Sequence, residues 1–316
     1  MSRPFFYCSE LSLVSAEQSF GTASIGEVWL LVEYREAWGV HALEDSTLSR
    51  EVKSRLNNFC KTTQRSRVLF IKQERLREGA LTCFVVRCRE SAPSIWKFHF
   101  NAYEELLNLD VAALASGDEA AAAAAGAVKV DDPLFLVCTH GKRDKCCAKF
   151  GFVLYKSLRE AAGGGEHVWQ SSHVGGDRFA ANLLCFPHGL FYAHVTEAAG
   201  HVICAEYGAR RLILEGYRGR ACYSYPVQAA EFFIRRETGL SALDALRFRR
   251  QERTGDKSWL VKFVEAGAGG RIHEARIIAQ PSEFHNYITC QSATEQRVVQ
   301  YALESYHAIE QPARSE

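Results

Sequence analysis

Three cysteines fall within ten residues in the segment Cys138-Thr-His-Gly-Lys-Arg-Asp-Lys-Cys-Cys147, whose interior is polar and turn-like. A thiolate is both a metal ligand and a nucleophile, so this segment offers metal ligation or thiol–disulfide chemistry. Farther along, His173-Val-Gly-Gly-Asp177 places two more ligand types around a glycine pair. Glycines there let the backbone come close to a bulky inorganic group. The spacing of Cys138 and Cys147 is wider than the two to four intervening residues usual at zinc sites. The vicinal pair Cys146-Cys147 also differs from the C-x-x-C of thiol oxidoreductases. The residues by themselves leave three chemistries open: a metal or cluster site, a thiol–disulfide pair, and a structural zinc module.

These side chains need elements to hold them. The apolar run 133–137 reads as a buried strand that ends on Cys138. A helix should follow, with Phe150, Val153, Leu154, Leu158 and Ala161 on one face and Lys149, Lys156, Arg159 and Glu160 on the other. Gly163, Gly164 and Gly165 would stop it. Cys147 sits near its start, where free N–H groups and the helix dipole favour a thiolate. A short strand at 167–170 leads into the loop 171–178, which carries His173 and Asp177. A hairpin is expected next, 182–187 turning at His188-Gly189 into 190–195. A helix over 227–236 begins after Pro226 and ends at Gly239.

The preceding residues show a comparable order. Strands are expected at 27–34, 67–72, 81–88 and 96–100, with a helix whose face is Leu48, Val52, Leu56 and Phe59, and an apolar helical stretch at 103–114. Six consecutive alanines, Ala120 to Ala125, offer nothing large to pack and read as a surface linker. The chain therefore divides into an α/β unit at 1–114, an Ala-rich linker at 115–132, a second α/β unit at 133–240 and an extension at 241–316. In the extension, 259–265 and 272–279 form a hairpin through the glycines at 267–270, with a β-hairpin/helix arrangement expected overall. The basic run of Arg247, Arg249, Arg250 and Arg253 is interleaved with acids and reads as a solvated face. The shared β-α-β-β-α order suggests an internal duplication, although the first half has nothing like the Cys138–Cys147 loop.

Composition bounds the function classes. The chain has 316 residues, 47% of them hydrophobic and 24% charged, enough for a sizeable core. A net charge of +1 provides no electrostatic case for nucleic acid or an anionic membrane. The N-terminal residues lack the long apolar run of a secretory signal, and the apolar runs are short, as at Val28 to Val32. Eleven cysteines, an odd number, leave at least one unpaired, and the expectation is a cytoplasmic protein whose thiols are free, catalytic or metal-bound. Neither a G-x-x-x-x-G-K-[ST] phosphate loop nor a G-x-G-x-x-G fingerprint after a strand is present.

The motifs together resemble the sucrase/ferredoxin-like family. The resemblance rests on Cys138 to Ala148, Val168 to Asn182 (Val-Trp-Gln-Ser-Ser-His-Val-Gly-Gly-Asp-Arg-Phe-Ala-Ala-Asn) and Phe186-Pro-His-Gly189. Arg220 with Pro226 to Glu231, and Cys8-Ser-Glu-Leu with Gly21-Thr-Ala-Ser24, extend it over most of residues 5–240. It implies a thioredoxin-like ferredoxin domain holding a [2Fe-2S] cluster on two cysteines and two histidines, a one-electron carrier or redox sensor working with a redox protein partner. Carried over, the ligands are Cys138, Cys147 and His173, while the second histidine position falls on Asp177. That departure leaves Cys146, His140 and Cys185 as other candidates for the fourth ligand, and a lost cluster as another outcome. A carboxylate is harder and more anionic than imidazole and should lower the reduction potential. Alternatives are a cluster-free thiol oxidoreductase using Cys138 and Cys147, and a structural zinc-binding adaptor. Arg143 and Asp144 are expected to brace the loop by an ion pair or turn bonds, and Arg178 to support the site. Lys142, Lys145 and Lys149 make it locally basic. The word sucrase adds no expectation of glycoside hydrolysis, for which no convincing carboxylate pair stands out.

Overall fold

The structure, a computed structural model, describes residues 6–74, 79–267 and 270–310. After a short helix α1 (Cys8–Val14) come strand β1 (Val28–Glu33), helix α2 (Arg50–Thr62) and strands β2 (Ser66–Lys72), β3 (Leu81–Arg87) and β4 (Ser94–Phe100). The expected helical stretch at 103–114 is broken in two. Residues Tyr103–Asn108 form a 3-10 turn, and α3 (Val111–Ser116) restarts after Asp110, whose carboxylate accepts the Ala113 N–H at 3.0 Å. The 115–132 segment carries α4 (Glu119–Ala124) and β5 (Val128–Val130), with Ala122 fully buried.

The second unit comprises β6 (Leu134–Cys138), α5 (Lys145–Ala161), β7 (Val168–Ser171), β8 (Leu183–Phe186) and β9 (Leu190–Tyr192). It continues through α6 (Glu197–Gly208), β10 (Tyr217–Arg220) and α7 (Tyr225–Thr238). Sequence patterning missed α6 because only Gly200, Ile203 and Tyr207 are buried, too few to mark a face; Thr196, whose hydroxyl caps it at the Ala199 N–H, was the available signal. Helix α7 ends as expected on Gly239 in the left-handed region, φ 74°.

Strands β1 to β10 form one mixed sheet in the order β10-β9-β8-β6-β7-β2-β1-β3-β4-β5. Both units build it by the same rule. The β1-α2-β2 and β6-α5-β7 crossovers give parallel pairs, the next strand adds antiparallel on the far side of the first, and the fourth pairs with the third. The sheet thus contains the same four-strand pairing pattern twice. The units join edge to edge where β2 meets β7, with Ile71 opposite Ser171 and Lys72 opposite Gln170.

Because β1 is buried on both faces, its side chains divide between two cores. Val28, Leu30 and Val32 pack with Val52, Leu56 and Phe59 of α2. Trp29 and Leu31 enter a core shared by both units, with Leu136, Trp169, Leu184 and Phe186. A third core lies under α5 and α6, around Val137, Leu154 and Leu158.

The extension is a separate antiparallel sheet, β11 (Leu246–Arg253), β12 (Ser258–Glu265), β13 (Ile272–Pro281) and β14 (Val299–Ile309). It covers α7 through Phe233 and Ile234 against Phe263 and Ile277. The expected β12–β13 hairpin is present, but the helix expected in this extension is not: no helix follows α7 among the described residues. The basic run forms β11 instead, a strand with its arginines facing mostly outward. No helix among the described residues is long and apolar enough to cross a membrane.

Candidate metal centre

Cys138 terminates β6, and its N–H donates to Asn182 O at 3.2 Å. Cys147 lies in the first turn of α5, whose cap is Asp144; the carboxylate accepts the Cys146 N–H at 2.8 Å. Strand end and helix start meet because Gly151 removes the obstacle between them. A Cβ there would stand 2.0 Å from the Cys138 carbonyl oxygen. A glycine inside a helix costs about 1 kcal/mol, and here it allows α5 to lie against the end of β6.

The loop after β7 brings the other two groups. Gly175 and Gly176 both have positive φ, 93° and 85°, so the chain reverses and starts a 3-10 turn at Asp177. His173 Nδ1 then lies 3.0 Å from Asp177 Oδ1, and Asp177 Oδ1 lies 3.6 Å from Cys147 Sγ. The ligand atoms of Cys138, Cys147 and His173 lie within 4.8 Å of one another. Four of the residues singled out from the sequence thus converge: Cys138, Cys147, His173 and Asp177.

The two sulfurs, the imidazole and the carboxylate of this cluster are electrostatically coupled. Cys138 is held well below the ordinary thiol range, chiefly by the Cys147 sulfur donating to it, with His173 adding to the effect against burial. Cys147 is pushed well up by the same partner and by burial. The two behave as one thiol–thiolate pair. Burial alone would depress His173, but Asp177 and Cys138 outweigh it and lift the imidazole to about 9. Its Nδ1 forms an ion-pair contact with Asp177 Oδ1 at 3.0 Å, outside ideal hydrogen-bond alignment. Cys138, Cys147 and His173 could hold a metal ion, and a set of thiolate, imidazole and carboxylate donors suits one.

The other fourth-ligand candidates point elsewhere. His140 uses both ring nitrogens, Nδ1 accepting the His173 N–H at 3.1 Å and Nε2 donating to Gly39 O at 2.6 Å, so it positions the His173 backbone. Cys185 is buried in the α5–α6 core. Cys146, next to Cys147, faces away from this centre toward Cys8 and Cys290. An Arg143–Asp144 ion pair does not form; the carboxylate instead takes the backbone N–H groups of Cys146 and Cys290. Arg178 pairs with Glu17 and lies over the Phe179 ring, bracing the turn from outside. Lys149 pairs with Glu10 at 2.8 Å and, like Lys145, lies over Tyr7, so two of the three loop lysines hold the N-terminal segment.

Sequence reasoning missed the group that organises the loop, Arg218. Its guanidinium is fully buried and donates to Thr22 O at 2.6 Å, Thr22 Oγ1 at 3.1 Å, Gly175 O at 3.0 Å and Asn182 Oδ1 at 2.6 Å. Asn182 in turn donates to Gly176 O at 2.9 Å. All these acceptors are uncharged. Burial, with Arg178 adding to it, pulls Arg218 down to about 9, while Asp177 and Cys138 act the other way. An isolated arginine on a short strand carries no sequence pattern. The apparent alternative, Arg220, belongs to a buried network with Glu231 and Arg235 against α7.

A family model described as Sucrase/ferredoxin-like matches residues 19–219. No curated protein and no solved structure matches the chain significantly.

Proposed function

The chain belongs to the sucrase/ferredoxin-like family, and from that premise we propose that Cys138, Cys147, His173 and Asp177 hold a [2Fe-2S] cluster in a thioredoxin-like unit. The observation that carries this reading is the pairing of donors. Two buried sulfurs, of Cys138 and Cys147, gather with the His173 imidazole, and Asp177 Oδ1 lies 3.0 Å from His173 Nδ1 and 3.6 Å from Cys147 Sγ. A set of two sulfurs with two harder donors matches in composition the clusters in which thiolates hold one iron and histidines the other. The bound group supplies a reversible one-electron change.

The chain's own residues set the conditions for that change. Two thiolates and a carboxylate make the site anionic, which favours the oxidised state. Arg218 opposes this from the buried side, and an anionic centre explains how a guanidinium with only neutral hydrogen-bond acceptors is accommodated there. The His173 side chain is 23% exposed against 5% for Asp177, so the imidazole is the edge through which a redox protein partner would exchange an electron. Strand order β9-β8-β6-β7, with β6 and β7 parallel and β8 antiparallel to both of its neighbours, supports the thioredoxin-like assignment. Eleven free thiols suit a reducing compartment, and we place the protein in the cytoplasm. The thiol–disulfide alternative is disfavoured by burial, since Cys138 and Cys147 are 1% and 0% exposed and neither sulfur is open to a substrate disulfide.

The test is the visible and EPR spectrum of anaerobically purified protein, together with its iron and acid-labile sulfide. About two of each per chain are expected. His173→Ala should abolish the spectrum and Asp177→Ala should alter it. Colourless protein lacking iron after anaerobic reconstitution would sink the reading, and an unchanged Asp177→Ala spectrum would remove Asp177 as ligand.

A further inference from the structure

Cys146 opens a second centre. Its sulfur is 3.6 Å from Cys8 Sγ and 3.3 Å from Cys290 Sγ, and Cys290 Sγ is 3.5 Å from Cys8 Sγ. Three sulfurs from α1, the first turn of α5 and the loop between β13 and β14 therefore form a nearly equilateral triangle. Asp144 completes the group, its carboxylate oxygens 3.8 and 3.9 Å from Cys8 Sγ.

From this geometry we infer that Cys8, Cys146, Cys290 and Asp144 bind one structural zinc ion, separate from the centre at Cys138. Sulfurs about 2.3 Å from a tetrahedral zinc stand about 3.8 Å from each other, close to the spacing here. A disulfide needs about 2.0 Å and could join only two of the three. A multi-iron cluster would spread its ligands over several metals, whereas these three sulfurs stand within 3.6 Å of one another. The hard carboxylate favours zinc over copper(I), which prefers an all-sulfur set. Supporting bonds are present on both sides. The Cys8 N–H donates to Cys290 Sγ at 3.4 Å, and Asp144 is oriented by the N–H groups of Cys146 and Cys290 at 2.8 and 2.7 Å. Cys8, Cys146 and Asp144 are buried, the closed surroundings of a structural rather than a catalytic ion. The ion ties three segments up to 282 residues apart, and successive residues of α5, Cys146 and Cys147, serve different centres because they point about 100° apart around the helix.

The test uses the full chain, produced with both zinc and iron supplied and purified anaerobically under reducing conditions, with metal analysis and zinc-edge X-ray absorption. About one zinc per chain is expected, surrounded by three sulfurs and one oxygen. In Cys8→Ser and Cys290→Ser zinc should fall about fivefold or more with iron unchanged. In the Cys138→Ser/Cys147→Ser double variant zinc should stay, whatever becomes of the iron, so the two centres fail or stand separately. Wild-type protein without zinc, iron on these sulfurs, or full zinc retention in both single variants overturns the inference. Should those variants not fold, the sulfur count around zinc in the wild-type chain decides.

Discussion

Replacing Gly176 by alanine tests whether the loop carrying His173 and Asp177 is held by Arg218. At φ 85° an L-residue incurs about 1–2 kcal/mol. The new Cβ would also stand 2.5 Å from Arg218 Nη2 and 2.8 Å from its Cζ. That guanidinium is tied to Thr22, Gly175 and Asn182 and has little freedom to move aside. Overpacking against an immobile group costs about 1–3 kcal/mol, for a total near 2–5 kcal/mol. Gly163→Ala is the control. Its φ is 62°, and nothing lies within 4 Å of the added carbon, so only the conformational cost of about 1–2 kcal/mol applies. Urea unfolding of both variants, with the slope checked for constancy, measures the difference. Gly176→Ala should be the less stable by about 1–3 kcal/mol and should bind less iron per folded chain, since His173 and Asp177 move with the loop. Equal destabilisation of the two variants would refute the proposed clamp.

Other expectations are independent of that loop. Burial, aided by Arg220 and Arg210, pushes His188 down to about 3, below its unfolded value of about 6.5. The unfolded chain therefore takes up the proton first, and stability from this group falls by about 1.4 kcal/mol per pH unit as pH drops below 6.5 toward 3, with no effect above 7. Urea midpoints at pH 7.5 and 5.5 should show this, and an undiminished slope in His188→Gln would contradict it. Glu231 accepts from Tyr217 at 2.8 Å, Arg220 at 2.9 Å and Arg235 at 3.1 Å, all buried. Glu231→Gln should cost about 3–5 kcal/mol by leaving two guanidinium groups uncompensated, while iron per folded chain stays constant; a loss under about 1 kcal/mol would show the network to be dispensable. Gly151→Ala should separate α5 from β6, lowering iron content as well as stability, and normal iron loading would show that this close approach is not needed.

Much of this architecture was legible locally. The doubly buried run of β1, the 3.6-residue periodicity of α2 and α5, and the β8–β9 hairpin around His188-Gly189 each announce themselves within a dozen residues, because propensity and amphipathic spacing act over that range. The helix expected in the extension was mistaken for want of such a pattern: β14 has two faces of mixed burial and reads as neither class. The same locality explains the site. Cys138, Cys147, His173 and Asp177 lie within forty residues of one another and on motif-like spacings, so a resemblance could single them out. What sequence could not determine is every group brought in from a distance. Arg218 reaches Gly175 across 43 residues, and Cys290 reaches Cys146 across 144. Adjacent cysteines look alike in a string of letters, and only the rotation of α5 and the return of the C-terminal loop decide that Cys147 lies with Cys138 and His173 while Cys146 lies with Cys8 and Cys290. Long-range contacts depend on how whole elements pack, and no single residue type encodes that.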